Sequence, residues 1–223
     1  MTAAVRSLRV LISAGPTREP IDPVRFLSNY STGYMGTRLA REALARGHRV
    51  VLVSGPVTEV PPSNARVVMV ETSNEMERAL RVQARRADVV IMTAAVADFR
   101  PVRRTSVKLP RRALWRLALE ATPDIVARLP RRAGQIIVGF ALESDRVVPR
   151  AKKKLRAKRL DVLLAQRVHG ATTPFGHQWV DAWLLQRGEA VQRLGRVSKA
   201  RVARVLLDKI EGLWYGQRSR KGK

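Results

Sequence analysis

Short apolar runs recur along this chain, each followed by a stretch with helical spacing, and this alternation restricts the fold more than any other feature. The runs are LRVLISA (8–14), VVLVSG (50–55), DVVIMTAA (88–95), QIIVGFALE (135–143) and DVLLAQ (161–166). Such runs read as buried strands. After the first, Met35, Leu39, Ala40, Ala43 and Leu44 recur with helical period, and Gly47 supplies a stop. TSNEMERALRVQARRA opens with Thr72 and Glu75 three residues on, the spacing of a capping box. TPDIVARL (122–129) predicts a short helix capped by Thr122 with Pro123 in the first turn. SDRVVPRAKKKLRAKR and SKARVARVLLDKIEGLWY predict two more helices. Strands that alternate with helices pair in parallel through right-handed crossovers. The expected fold is therefore α/β: a Rossmann-like three-layer sandwich with a mainly parallel sheet. One departure is expected near the C-terminus, where QWVDAWLLQ and AVQRLGRVS flank Arg187-Gly188-Glu189 in a β-hairpin pattern. The expected organisation is a single domain over 1–215 and a basic, solvated tail over 216–223.

Composition narrows the chemistry. The chain has 43 Lys and Arg against 18 Asp and Glu, a formal charge of +25, so its field attracts polyanions. Arg is spread over every predicted helix, as on ordinary solvated faces, and neither interleaved aromatics nor a recognition-helix pattern is present. Nucleic acid is therefore not the expected partner. With no Cys, disulfides, thiolate ligands and a Cys nucleophile are excluded. His48, His169 and His177 have no metal-ligand spacing. No apolar run reaches membrane-span length, and the first residues lack a signal-peptide apolar region. The expectation is a soluble, cytoplasmic protein without a membrane partner.

The stretch GPTREPIDPVRFLSNYSTGYMG (15–36) leaves the first strand and spends about twenty residues before a helix begins. Loops of that length in compact domains are functional or disordered, and this one is rich in hydrogen-bonding groups. Open α/β sheets bind ligands beyond the carboxyl ends of their strands. The opening loop, TAAVADFRP, GFALES and LAQRVHG all fall there. A dinucleotide fingerprint is not met, because its glycines belong in the tight turn straight after strand one and strand two ends VSGPV without an acidic residue.

The residues AGPTREPIDPVRFLSNYSTGYMG, AAVADFRP, a lysine ten residues beyond that Asp, TPDI, GFALES and KKKLRAKRLD together resemble phosphopantothenoylcysteine synthetase, the synthetase half of the coenzyme A biosynthesis flavoprotein family. The likeness runs from about residue 8 to 208. It implies a stand-alone ligase with no flavin, a possible separate decarboxylase partner, a homodimer, and Mg2+ as assistant to CTP. It also implies the reaction: the carboxylate of 4'-phosphopantothenate attacks the α-phosphate of CTP, and the amine of cysteine then displaces CMP from the acyl-cytidylate. No protein nucleophile is needed, only charge neutralisation and orientation.

The resemblance implies roles for particular residues, and each has a plainer alternative. Asn29 would act on the acyl-nucleotide, or else stabilise a turn. Arg25 would hold a phosphate or the subunit interface, or form a surface ion pair. Gly33 and Gly36 would let backbone approach the substrate at a helix start, or pack helix against sheet. For the nucleotide, Ala94 and Asp98 would read base and ribose; otherwise Asp98 caps a turn. Lys108 would close over the triphosphate from a flap, as a catalytic cation, or stay solvated. Thr122, Pro123, Asp124 and Ile125 would cradle phosphate with helix N–H groups, or merely cap. Phe140 would stack on cytosine or sit in the core. Lys154 and Lys158, four apart on one helix face, would contact the nucleotide or belong to a solvated charge run. Metal ligands are not assigned. The chain departs from the family pattern at Tyr34, where a Lys is usual, at Lys108-Leu109-Pro110-Arg111 in place of a Lys cluster, and at Gln166-Arg167. Other function classes remain: an ATP-using ligase, a nucleotide- or phosphate-binding relative without ligase activity, and a basic nucleic-acid binder.

Overall fold

The computed structural model describes residues 7–111, 116–168, 174–176 and 179–219. The elements run β1 (Arg9–Ala14), β2 (Arg18–Pro20), β3 (Phe26–Ser28), α1 (Tyr34–Ala45), β4 (Arg49–Ser54), β5 (Arg66–Met69), α2 (Ser73–Ala84), β6 (Val89–Met92), β7 (Phe99–Pro101), β8 (Leu119–Ala121), α3 (Ile125–Arg128), β9 (Ile136–Glu143), α4 (Val147–Ala157), β10 (Val162–Arg167), β11 (Val180–Gln186), β12 (Gln192–Val197) and α5 (Lys199–Ser219). Eight strands form one sheet in the order β12-β11-β10-β9-β6-β1-β4-β5. Six of them are parallel, and β11 and β12 close one edge as the expected antiparallel hairpin. Counted among the parallel strands alone, the order is 3-2-1-4-5-6. The direction in which successive strands are added to the sheet reverses between β1 and β6, and that junction opens a crevice at the carboxyl edge.

Both faces of the sheet are covered because side chains alternate along each strand. Val10, Ile12, Val89, Ile91, Ile136, Val138, Val162 and Leu164 face α1 and α5, meeting Leu39, Ala40, Val202 and Leu206. Leu11, Val90, Ile137 and Leu163 face the other way and meet Met76, Leu80, Ile125, Ala151 and Leu155 of α2, α3 and α4. Truncating any of these buried Leu side chains to Ala costs about 2–5 kcal/mol. The capping box on α2 is present: the Thr72 side chain accepts from Glu75 N, and the Glu75 carboxylate accepts from Thr72 N.

Several expectations are corrected. The edge strand β5 lay in no predicted element; its residues are half-buried or exposed, so it carries no continuous apolar run. The opening loop holds the β2–β3 hairpin, and the basic stretch after Asp98 holds β7, which pairs with β8. The short helix α3 is capped by Asp124, whose carboxylate accepts from Ala127 N, not by Thr122. Thr122 Oγ1 instead donates to Ala97 O at 2.5 Å and ties the turn back to the loop that follows β6. α5 continues to Ser219, inside the stretch expected as a tail, and residues 220–223 lie outside the described residues. So do His169 and His177.

Candidate active site

The crevice at the carboxyl edge is a cavity of about 470 Å³. Buried polar groups of the opening loop hold its walls. Thr17 Oγ1 accepts from Ala97 N, and the buried Glu19 carboxylate accepts from Ser73 N at the start of α2. Ser13 Oγ accepts from Ala94 N, and Thr93 Oγ1 donates to Ser13 O. The loop is thus pinned to β6 and α2 rather than left to solvent. That explains its density of Thr, Glu and Asp, since buried polar groups need partners.

Eleven of the predicted residues line this cavity: Asn29, Gly33, Ala94, Asp98, Thr122, Pro123, Asp124, Ile125, Phe140, Lys154 and Lys158. Asn29 Nδ2 donates to Ala95 O at 2.9 Å, a tether across to the β6 loop rather than a local turn. Gly33 is the residue before α1 and has φ +78°; a Cβ there would also meet Val57 Cγ1 at 2.6 Å. Only glycine satisfies both constraints. Lys158 pairs with Asp124 at 3.2 Å. Lys154 is half-buried in the same wall; burial, with Lys158 nearby, lowers its affinity for a proton, while Glu143, Asp98 and Asp124 oppose that shift. Phe140 serves both readings: it lines the cavity and packs on the core facing α1 and α5.

Three predicted residues lie elsewhere. Gly36 is a packing residue, because a Cβ would stand 2.5 Å from Ala14 Cβ and α1 could not seat on β1. Arg25 binds the buried Asp22 carboxylate at 2.5 Å and donates to Leu109 O at 2.6 Å. Asp22 also accepts from Val24, Arg25 and Leu109 N–H groups. Desolvation pushes the Asp22 carboxyl upward, and these hydrogen bonds override it and hold it below the usual carboxylate range. Lys108, beside this clasp, is exposed and outside the cavity lining.

The cavity also contains residues that sequence reasoning did not assign. Lys199 opens α5 and lines the cavity with Pro174 and Gly176. A sequence clue existed: no carboxylate stands three or four residues after it to pair along the helix. Tyr34 and the buried Gln166, noted only as departures from the family pattern, line the cavity too. Among the described residues, no cluster of three or more His, Cys, Asp or Glu side chains could hold a metal, and no helix is long and apolar enough to cross a membrane.

Residues 5–213 match the DNA/pantothenate metabolism flavoprotein C-terminal domain family. The chain belongs to this family. It is 36% identical to the crystallised C-terminal domain of a coenzyme A biosynthesis bifunctional protein CoaBC, with TM-score 0.81 over 96% of this chain and 98% of that one. It is 42% identical over 178 residues to the CoaBC protein of Bacillus subtilis (strain 168), covering 78% of this chain and 44% of that protein. It is also 39% identical over 206 residues to a cysteine/cysteine sulfinic acid decarboxylase of an unknown prokaryotic organism, covering 91% of this chain and 57% of that protein. The chain therefore spans about half the length of the curated relatives it matches. The family is the one its opening motif resembles, and the Rossmann-like fold is that of the CoaBC C-terminal domain.

Proposed function

We propose that this chain is a phosphopantothenate–cysteine ligase of coenzyme A biosynthesis that activates its acid substrate with CTP. The observation that carries the reading is the convergence of eleven motif residues from five separate chain segments on one cavity, within a fold matched to the CoaBC C-terminal domain. The two curated names differ, and the ligase reading is favoured by the cavity's chemistry: Lys154 and Lys158 with backbone N–H groups at two helix starts, a set suited to a triphosphate.

In this reading the substrate carboxylate attacks the α-phosphate, the bond to the β-phosphate oxygen breaks, and pyrophosphate leaves. The amine of cysteine then attacks the acyl carbonyl, loses a proton and releases CMP. Asp98 and Ala94 receive ribose and base, Phe140 stacks on cytosine, and residues 122–125 with Lys154 and Lys158 take the phosphates. Asn29, oriented by its bond to Ala95 O, polarises the acyl carbonyl without adding net charge. Lys108 acts only if the stretch around it swings inward, so closure about the Asp22–Arg25 clasp belongs to the cycle. A Mg2+ ion suits the donor set as a passenger on the nucleotide: it favours phosphate oxygens and water over all-protein cages, and would supply charge neutralisation there. Exposed Val24, Phe26, Phe99, Val102, Leu117 and Leu119 on and beside the β2–β3 and β7–β8 ribbons support a homodimer near the site. A flavin-dependent decarboxylase as partner and a cytoplasmic location complete the proposal.

Release of pyrophosphate from CTP, or from ATP, in the presence of phosphopantothenate and cysteine tests it. Turnover with CTP supports the ligase; turnover with ATP alone transfers the reading to the other nucleotide; none with either defeats it. Salt-steep binding to nucleic acid would favour a different class.

A further inference from the structure

The Lys199 side chain is only 5% exposed, yet it reaches the cavity. Its Nζ donates to Pro174 O and Gly176 O, each at 2.6 Å. The same Nζ stands 5.7 Å from the centre of the Tyr34 ring, at the first residue of α1. A lysine ammonium has three donors. Two are placed on these carbonyls, and the third has no hydrogen-bond partner among the described residues. Nor does any described carboxylate stand within ion-pair distance; Glu59 acts on the ammonium only from farther away. Two carbonyls and an aromatic face are partial negative charges, which hold a cation in place without neutralising it.

Burying a charge this way is costly unless something compensates it, and burial pushes the Lys199 ammonium down to about 8. A purely structural residue would do better as a neutral group bonded to the same carbonyls. The arrangement makes sense if the compensating anion arrives with the ligand. The geometry adds direction: the lysine comes from α5, on the face opposite Lys154 and Lys158 of α4, so the cavity carries cations on two opposing walls. A single phosphate chain entering from the Lys154 side does not by itself require the second wall.

We infer that Lys199, set between the 174–176 segment and the Tyr34 ring, is an anion-binding residue that receives a phosphoryl oxygen of the bound ligand. The inference rests on the ligase reading only for the identity of that ligand. Two sources share the chemistry: the phosphate ester of a phosphopantothenate-type acid, and the phosphoanhydride of a nucleoside triphosphate.

Binding measured by calorimetry on matched pairs separates them, pantothenate against 4'-phosphopantothenate and cytidine against CTP. The variants are Lys199→Met, Lys199→Gln, whose amide can still donate to one of the carbonyls, and Lys199→Arg. In the uncharged variants, affinity for the phosphorylated member of one pair should fall about tenfold or more while its unphosphorylated partner changes less than about twofold. Lys199→Arg should restore most of that loss. The pair that responds names the source. A merely structural role would weaken both members of a pair together, or neither, and either result overturns the inference. If neither uncharged variant folds, wild-type crystals with bound pyrophosphate decide: a phosphorus atom within about 4 Å of Lys199 Nζ supports the contact, and one beyond about 6 Å overturns it. Turnover without a selective loss of phosphate affinity sinks this inference and spares the ligase; selective loss without turnover does the reverse.

Discussion

The opening loop and the basic stretch 102–111 leave the same edge of the sheet, are both polar, and both carried predicted catalytic residues, yet the structure treats them differently. The loop is anchored by buried Thr17, Glu19 and Asp22, and it delivers Asn29 and Gly33 to the cavity. Residues 102–111 are exposed apart from half-buried Thr105 and Leu109, and their ties to the body are Thr105 N to Ile21 O, Val102 N to Ala118 O, and the Leu109 bonds to Asp22 and Arg25. What separates them is the number of buried polar anchors, not composition. A loop with internal partners presents a fixed group; a loop with a clasp can present its group conditionally.

The sharpest way to break this comparison is Asn29→Asp. Activation should survive while amide formation slows by about 10²-fold or more, because a donor aimed at developing charge is replaced by a carboxylate. Labelled CTP should then leave an acyl-nucleotide that quenching and chromatography recover; an unlabelled acid pool would remove Asn29 from the second step. Lys108→Gln should lower turnover by about 10–100-fold with the melting midpoint unchanged. An unchanged rate would make the stretch a bystander.

Asp22→Asn addresses the clasp itself. It should speed proteolytic cleavage within 102–111 and reduce turnover less than Lys108→Gln. The native Asp22 carboxyl titrates below its unfolded value of about 3.9. Its contribution is therefore complete above the unfolded value and fades as pH falls toward the native one, so the variant should flatten the acid limb of stability. Unaltered cleavage would show that the clasp restrains nothing. The smallest effect is expected from Thr72→Ala, at a residue that caps α2 beside the Glu19 anchor but lies outside the cavity lining. It should cost about 1 kcal/mol through the lost cap, seen as a lower denaturant midpoint, and leave turnover alone.

The central strands were legible because burial on both faces forces continuous apolar runs. β5 was not, since an edge strand with Arg66 and Met69 exposed carries no such signature. β7 and β8 are three-residue ribbons whose pairing depends on tertiary approach. Within the site, residues fixed by local backbone were readable, among them Gly33 and the 122–125 turn. Gly36 carried the same motif signal for a different reason, the closeness of Ala14. Lys199 acts through carbonyls more than twenty residues away and a ring on another helix. Such a role leaves only the faint mark of a lysine without a helical partner.

The most direct test is isotope exchange between labelled pyrophosphate and CTP in the absence of cysteine. Label should enter CTP only when phosphopantothenate is present, because activation of the carboxylate is reversible and precedes the amine. Exchange that ignores phosphopantothenate, or none at all from a folded protein that binds both ligands, would contradict an acyl-nucleotide formed in this cavity.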